Sequence, residues 1–287
     1  MTAAKTALPM GKIGDLDVSR IILGGNLLAL YHHCRDQNYV FNLVKHYNTE
    51  EKLLETFEVA EANGINTMTV HTFDWTIDLF KKHRDRGGKI QWIFCPTAEI
   101  TDDLQVYKDE IARLADLGAN AFHIWGEHTD VLLREGKLDT IAKLMEIVRS
   151  HGVPVGVGAH DIGVIKAVEQ AEFNPDFYVK TFHHHDYPTA PKDASEKVDA
   201  YTEVPGYWDR DPDETREVMS KITKPWVAFK TMAAGTIPPE SAFQFAYEGG
   251  ADFIYAGMFD YDIAEDVEIA TRIITDLQAK GRARAWA

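Results

Sequence analysis

The histidines are the residues whose placement most strongly suggests chemistry. Of the 12 in the chain, seven fall at the C-terminal ends of strand-like runs: His71, His123, His128, His160 and the consecutive His183, His184 and His185. A lone histidine is usually a hydrogen-bonded structural residue, but seven gathered at strand ends depart from that expectation. Neutral imidazole is the commonest side-chain ligand for transition metals, and a carboxylate such as Glu127 can complete a mixed nitrogen and oxygen set. Strand side chains alternate between faces, so residues two apart point the same way. In FYVKTFHHH, Lys180, Phe182 and His184 share a face, and a mid-strand lysine is expected inside rather than against a helix layer. In VPVGVGAH the small Gly156 and Gly158 share a face with His160, and in NAFHIW His123 shares one with Ala121 and Trp125. The expected metal ligands are therefore His160 and His184, with His123 or Glu127 next. His183 and His185 are further ligands where strand parity fades. The ion would be divalent zinc, manganese, iron, nickel or cobalt. The bland alternative is a hydrogen-bonded network, or histidines that move protons without a metal.

A pair of lysines forms the second constellation. Lys180 in VKTF and Lys230 in FKTM lie in consecutive strand-like runs. Two ammonium groups held close in a low-dielectric interior repel, which lowers the proton affinity of one of them. A neutral lysine amine condenses with a carbonyl to give a Schiff base. The V-K-T and F-K-T passages, the second followed by A-A-G, resemble class I aldolases such as deoxyribose-phosphate aldolase. Those enzymes carry a lysine on each of strands six and seven, so the resemblance implies Schiff-base catalysis by Lys180 and Lys230. It departs after Lys180, where Phe-His-His-His replaces a small phosphate-binding turn. The alternative pairs each lysine with an acid such as Asp186 or Asp260. Tyr255, which shares parity with Gly257, and His123 are candidate proton donors.

These residues need a scaffold that brings strand ends together. Short β-branched and aromatic runs bounded by Gly, Pro or Asn begin at Val18, Ile65, Lys89, Asn120, Val153, Asp176, Pro225 and Asp252. Amphipathic helical patterns lie between them, clearest in TEEKLLETFEVAEANG, where Asn48 and Glu51 form a capping-box pattern and Gly64 ends the helix. Eight alternating units predict an α/β fold, a closed (β/α)8 TIM barrel of parallel strands. No linker or low-complexity segment divides residues 1–287, which predicts one domain. An open doubly wound sheet is the alternative, but the first strand-to-helix turn lacks a G-x-G-x-x-G phosphate loop. In a barrel all strand C-termini meet on one face, where active sites sit. Two long connections, Gly24 to Asn48 and about His183 to Asp209, open onto that face as βα loops 1 and 6. Connections of that length in compact domains are usually functional or disordered. Their aromatics, among them Tyr31, Tyr187 and Trp208, suit a lid over a hydroxylated ligand. With His71 and Trp125 they are the expected substrate contacts.

The opening LPMGKIGDLDVSRIILGGN is similar to that of the aldo-keto reductases, with a short β-hairpin and a first strand ending in Gly-Gly. EANGINTMTV resembles that family's passage into its second strand, GVPVGVGAHD its fifth strand, and GMFDYDIAEDVE its eighth strand and following helix. The resemblance implies the same barrel with an N-terminal hairpin. It does not carry the reductase chemistry. In a gap-free reading the family's catalytic Asp, Tyr, Lys and His positions fall on Thr69, Asp74, Cys95-Pro96-Thr97 and Trp125. Without a tuned proton donor beside the carbonyl, hydride transfer from NADPH is not expected.

Composition narrows the partners. With 45 acidic and 30 basic side chains the formal charge is −15, so polyanionic nucleic acid is not an expected partner. No apolar stretch approaches membrane-helix length, and MTAAKTALPM has no hydrophobic signal core. Two cysteines, Cys34 and Cys95, are too few for a disulfide framework and point to a reducing cytoplasm. The residues together predict a metal-dependent enzyme that isomerises, epimerises or cleaves a C–O or C–C bond, as a hydratase or lyase does. Its substrate would be small, hydroxylated or keto, and sugar-derived. The competing readings are a Schiff-base aldolase using Lys180 and Lys230, an NAD(P)-dependent reductase with a replaced tetrad, and a non-catalytic sugar-binding barrel.

Overall fold

The computed structural model describes residues 7–30, 38–190 and 209–287. Tyr31, Cys34 and Trp208 lie outside the described residues. Strands β1 (Met10–Ile13) and β2 (Leu16–Ser19) pair antiparallel as a hairpin. Eight more follow: β3 (Ile21–Gly24), β4 (Thr67–His71), β5 (Gln91–Cys95), β6 (Ala121–Ile124), β7 (Val155–Ala159), β8 (Phe177–Thr181), β9 (Trp226–Phe229) and β10 (Phe253–Ala256). These close into a parallel barrel in chain order, with Ile254 of β10 opposite Ile21 of β3. Between and after them run α1 (Gly25–Leu28), α2 (Asn38–Tyr47), α3 (Glu50–Ala62), α4 (Asp74–Asp85), α5 (Gln105–Asp116) and α6 (Gly126–Arg134). The set continues with α7 (Leu138–Arg149), α8 (Ile162–Gln170), α9 (Pro212–Ser220), α10 (Pro239–Glu248) and α11 (Ile263–Lys280). The expected (β/α)8 barrel with its N-terminal hairpin is the fold. No helix among the described residues is long and apolar enough to cross a membrane.

The barrel strands are short, rich in β-branched and aromatic residues, and buried on both faces, as parallel strands covered by helices must be. Their alternation produces two cores. Ile22, Ile93, Ala121, Phe177, Val179, Val227 and Phe253 fill the interior, where Ile13 and Val18 of the hairpin join them and plug the N-terminal end. Met68, Phe94, Phe122, Val157, Tyr178 and Trp226 pack outward under the helices. Each large apolar side chain so buried contributes about 1.5–3 kcal/mol. At the plugged end the wholly buried Asp252 carboxylate accepts from the Arg282 and Arg284 guanidiniums and from the Trp226 and Ala287 amides. Trp286 lies against the guanidiniums of Arg20 and Arg282. The last residues are thus latched to the bottom of the barrel, and the opposite end is the one open to chemistry.

Three local expectations change. VSRIILGG is not one strand, because Val18 and Ser19 belong to the hairpin and the buried Arg20 separates them from β3. Helix α3 is capped by Thr49, whose Oγ1 accepts from the Lys52 amide at 3.3 Å, while Asn48 Nδ2 donates to Leu27 O. The helix starts one residue later than the Asn48 pattern implies, so Glu51 falls too early to close a capping box. The connection after β3 carries α1 and α2 rather than a bare loop, with Val44 buried and Tyr47 edge-on to Phe259 and Tyr261.

Candidate active site

A cavity of about 50 Å3 opens among the C-terminal ends of the barrel strands, lined in part by His71, His123, Trp125, Glu127, His160, Lys230 and Tyr255. Its most organised feature is a chain of three polar side chains. His160 follows β7 on the interior face with Gly158. Behind it the buried face of α6 carries Thr129 and Asp130. The Asp130 carboxylate accepts the His160 amide at 3.2 Å, the Asp161 amide at 3.1 Å and the His160 Nδ1–H at 2.8 Å. Thr129 Oγ1 donates to Gly158 O at 2.5 Å, which ties the same helix to β7. On the cavity side, Lys230 Nζ lies 2.9 Å from His160 Nε2. The Asp130 carboxylate beside Nδ1 can only accept, so the single proton of the neutral imidazole sits on Nδ1 and Nε2 accepts from Lys230 Nζ. Burial, then the nearby Lys230 and Lys180, hold His160 well below its usual value, so the ring is neutral at neutral pH. Burial pushes Asp130 up to about 6 against the pull of its amide donors, which leaves it ionised at pH 7.

Lys230 reaches this position through its backbone. In β9, Trp226 and Ala228 face outward, so unbroken alternation would send Lys230 outward too. The strand stops at Phe229, and Lys230 takes φ +55°, the left-handed region, with Ala233 at +45° and Ala234 at +57° in the same turn. Each non-glycine residue held there stores roughly 1–2 kcal/mol, and such strain concentrates at functional sites.

The floor of the cavity is made by His123 and Tyr255, whose rings meet with centroids 5.9 Å apart. Thr69 Oγ1 is 3.3 Å from His123 Nε2 and lies beside the Tyr255 hydroxyl without completing a hydrogen bond to it. Burial holds His123 down to about 4 and raises the Tyr255 phenol far above its usual value. Gly158 makes this floor possible, since a Cβ there would sit 2.6 Å from Ile124 O and 3.3 Å from His123 Nδ1. His71 and Trp125 stand on the wall with ring centroids 5.2 Å apart, and burial lowers His71 to about 3.

The remaining sequence candidates are placed elsewhere. Lys180 does not enter the interior. Phe177 and Val179 take the inward positions of β8, and Lys180 lies outward with Tyr178, fully buried. Its Nζ donates to Thr181 O at 2.8 Å, to Thr181 Oγ1 at 2.7 Å and to Asp209 Oδ1 at 3.3 Å. The expected face is reversed because an acid in the helix layer, Asp209 ahead of α9, makes the outward side hospitable to a cation. His184 follows the same parity and lies against α10, with Nε2 at 2.9 Å from Ser241 Oγ and its ring edge-on to Phe245. His183 Nε2 accepts from the Asp209 amide at 3.1 Å, and His185 Nε2 donates to Asp209 O at 2.6 Å. Tyr187 packs beside His183 in the outer core rather than over the cavity. Tyr31 and Trp208 lie outside the described residues.

Of the expected metal ligands, His160, His123 and Glu127 line this cavity, whereas His183, His184 and His185 lie outside it. His160 has Asp130 on one ring nitrogen and the Lys230 amine on the other. No three His, Cys, Asp or Glu side chains among the described residues gather to hold an ion. Asp130 is the functional candidate that sequence reasoning missed. Its one local sign is position, since Gly126, Thr129 and Asp130 share the buried face of α6 and an acid there needs a partner.

No family model and no curated protein matches the sequence. Solved structures share its architecture. A candidate aldo-keto reductase from Pseudomonas aeruginosa is 15% identical, with a TM-score of 0.60 over 93% of this chain and 98% of that one. A point mutant of Gox0644 in complex with NADPH is 12% identical, with a TM-score of 0.58 over 92% of this chain and 88% of that one. A truncated 3-deoxy-D-arabino-heptulosonate 7-phosphate synthase from Thermotoga maritima is 12% identical, with a TM-score of 0.53 over 96% and 94%. What these proteins have in common with this chain is the eight-stranded barrel.

Proposed function

We propose that the protein is an enzyme in which Lys230 condenses with the carbonyl of a small, sugar-related substrate. The imine would then serve proton transfer or carbon–carbon cleavage at the neighbouring carbon. The observation that carries this reading is the Lys230–His160–Asp130 chain opening into the cavity. As Nζ attacks the carbonyl carbon, His160 Nε2 takes a proton from the amine, and the Asp130 carboxylate offsets the imidazolium charge. That proton and the second amine proton leave with the carbonyl oxygen as water, giving the neutral imine. A barrel shared with a heptulosonate phosphate synthase accords with a sugar-related substrate. The pairing of His160 with His184 on one ion draws no support, because the two face different layers. Hydride transfer draws no support from Thr69, Asp74, Cys95-Pro96-Thr97 and Trp125 at the reductase-like positions.

The test is reductive trapping. The protein is incubated with dihydroxyacetone or glyceraldehyde, reduced with borohydride, and its peptides are mapped by mass spectrometry. A near-stoichiometric adduct on Lys230, absent from Lys230→Ala, is expected. Adducts confined to surface lysines, or unchanged in Lys230→Ala, would overturn the proposal.

A further inference from the structure

Imine chemistry at Lys230 leaves two polar atoms of the cavity without a task. Tyr255 Oη and His123 Nδ1 complete no hydrogen bond among the described residues, although Thr69 lies beside the first and the Ile124 backbone beside the second, and each residue is only 7% exposed. Buried polar groups are nearly always satisfied, so two in one cavity wall mark a place where something else supplies the partner. Strands β6 and β10 stand four positions apart either way round the barrel, so the contact between His123 and Tyr255 crosses its axis. A Cβ at Gly158 would sit 3.3 Å from His123 Nδ1, so glycine there spares that edge of the ring a side-chain contact. Both side chains are neutral at neutral pH, because burial lowers the imidazole and raises the phenol. Of the described residues that line the cavity, Lys230 is the one lysine or arginine, and it is the reacting amine, while Glu127 is the one carboxylate. An anionic group would gain no net positive field there and would lose its hydration to neutral partners. A hydroxyl meets no such penalty, since it donates to one partner and accepts from the other.

We infer that Tyr255 and His123 form an oxygen subsite for an uncharged hydroxyl, so that the substrate class is a short α-hydroxy aldehyde or α-hydroxy ketone. The carbonyl lies at Lys230 and the adjacent hydroxyl on the cavity floor; this rests on Lys230 as the imine-forming amine. Tyr255 donates its O–H or accepts at Oη, and His123 Nδ1 completes the pair according to its tautomer. A carboxylate or phosphate does not belong in this place.

Three probes with the same acetyl group test it: hydroxyacetone, acetone and pyruvate. Borohydride trapping on Lys230 is measured for each and divided by trapping on free Nα-acetyllysine amide, which removes differences in carbonyl reactivity. Hydroxyacetone is expected to exceed both others by about tenfold, the effect of one to two hydrogen bonds. Tyr255→Phe is expected to erase most of that preference, and His123→Gln part of it, with melting curves confirming that each variant is folded. If Tyr255→Phe does not fold, His123→Gln carries the comparison. Equal normalised trapping of the three probes, or a preference for pyruvate, overturns the subsite while Lys230 remains the reacting amine. If no probe labels Lys230, the amine reading fails, and the subsite is judged by binding alone in saturation-transfer NMR. A hydroxyacetone signal weakened by Tyr255→Phe then supports it, and equal signals from both proteins overturn it.

Discussion

Replacing Lys180 by methionine separates a structural lysine from a chemical one. The side chain of Lys180 is 0% exposed, that of Asp209 is 2% exposed, and Nζ lies 3.3 Å from Oδ1. Burial raises Asp209, and the charge of Lys180 is the leading restraint on that rise. Methionine fills a similar volume but leaves a carboxylate uncompensated in the interior, which costs about 3–5 kcal/mol. Unfolding entropy near 2.1 cal/mol/K per residue, over 287 residues, gives about 0.6 kcal/mol/K, so the Tm should fall by about 5–8 °C. The deficit should depend on pH. A carboxylate raised in the folded state binds its proton more tightly than the unfolded chain does, so its penalty grows as pH rises above the ordinary carboxylate range. The loss is therefore larger at pH 8 than at pH 5. Asp209→Asn removes the charge and can keep the bond from Thr215 Oγ1, now 2.9 Å, so the double variant should be more stable than the sum of the two single changes predicts. Urea unfolding followed by tryptophan fluorescence at both pH values measures all of this, with trapping on Lys230 run in parallel. A loss below about 1 kcal/mol, or strict additivity, would refute the pairing argument. So would a Lys180→Met protein of unchanged stability that no longer forms the Lys230 adduct.

Three further outcomes are expected. Asp130→Asn puts an amide where the His160 Nδ1–H now donates at 2.8 Å, so the rate of adduct formation on Lys230 should drop roughly 100-fold or more; a change within about threefold would remove Asp130 from the relay. His123 is held down to about 4 against 6.5 in the unfolded chain, so its contribution to stability is complete above pH 6.5 and is lost as pH falls toward 4. Between pH 7 and 5 that loss is about 2 kcal/mol, and His123→Gln should be less acid-sensitive than the parent by that amount in urea titrations; parallel pH profiles would contradict it. Ala234 is exposed at φ +57°, so Ala234→Gly should relieve strain and raise the unfolding free energy by about 0.5–1 kcal/mol, whereas a loss of stability would show that the turn is not strained there.

The barrel is legible in the sequence because strand and helix periods alternate eight times, and that pattern needs no knowledge of distant contacts. The inward placements of His123, His160 and Tyr255 follow from the same alternation, since β6, β7 and β10 run regularly to their ends. Strand β8 breaks the inference at a different step. Its alternation is regular, but alternation alone does not say which face points inward, and Asp209, 29 residues later, supplies Lys180 with a partner outside. One wrong face moves Lys180 and His184 together. Lys230 shows the opposite case, in which the residue reaches the cavity although parity points away, because a left-handed turn follows the strand. Asp130 carries only the weak signal of an acid on the buried face of α6. In sequence it is one acid in an amphipathic stretch, and only the approach of α6 to the end of β7 turns it into the partner of His160.

The histidines left out of the cavity bear on it nonetheless. His183 and His185 grip the Asp209 backbone at its amide and its carbonyl, which fixes the carboxylate that holds Lys180. Lys180 donates to Thr181 Oγ1, and Thr181 donates at 3.2 Å to the carbonyl of His160. The imidazole of the relay is therefore braced from two sides, by Asp130 on α6 and by the Asp209–Lys180–Thr181 path leading from the start of α9. Cavity and clamp are two ends of one polar network. Loss of Lys180 should accordingly weaken adduct formation at Lys230 by much less than loss of Asp130, because Asp130 touches the imidazole and Lys180 reaches only its backbone.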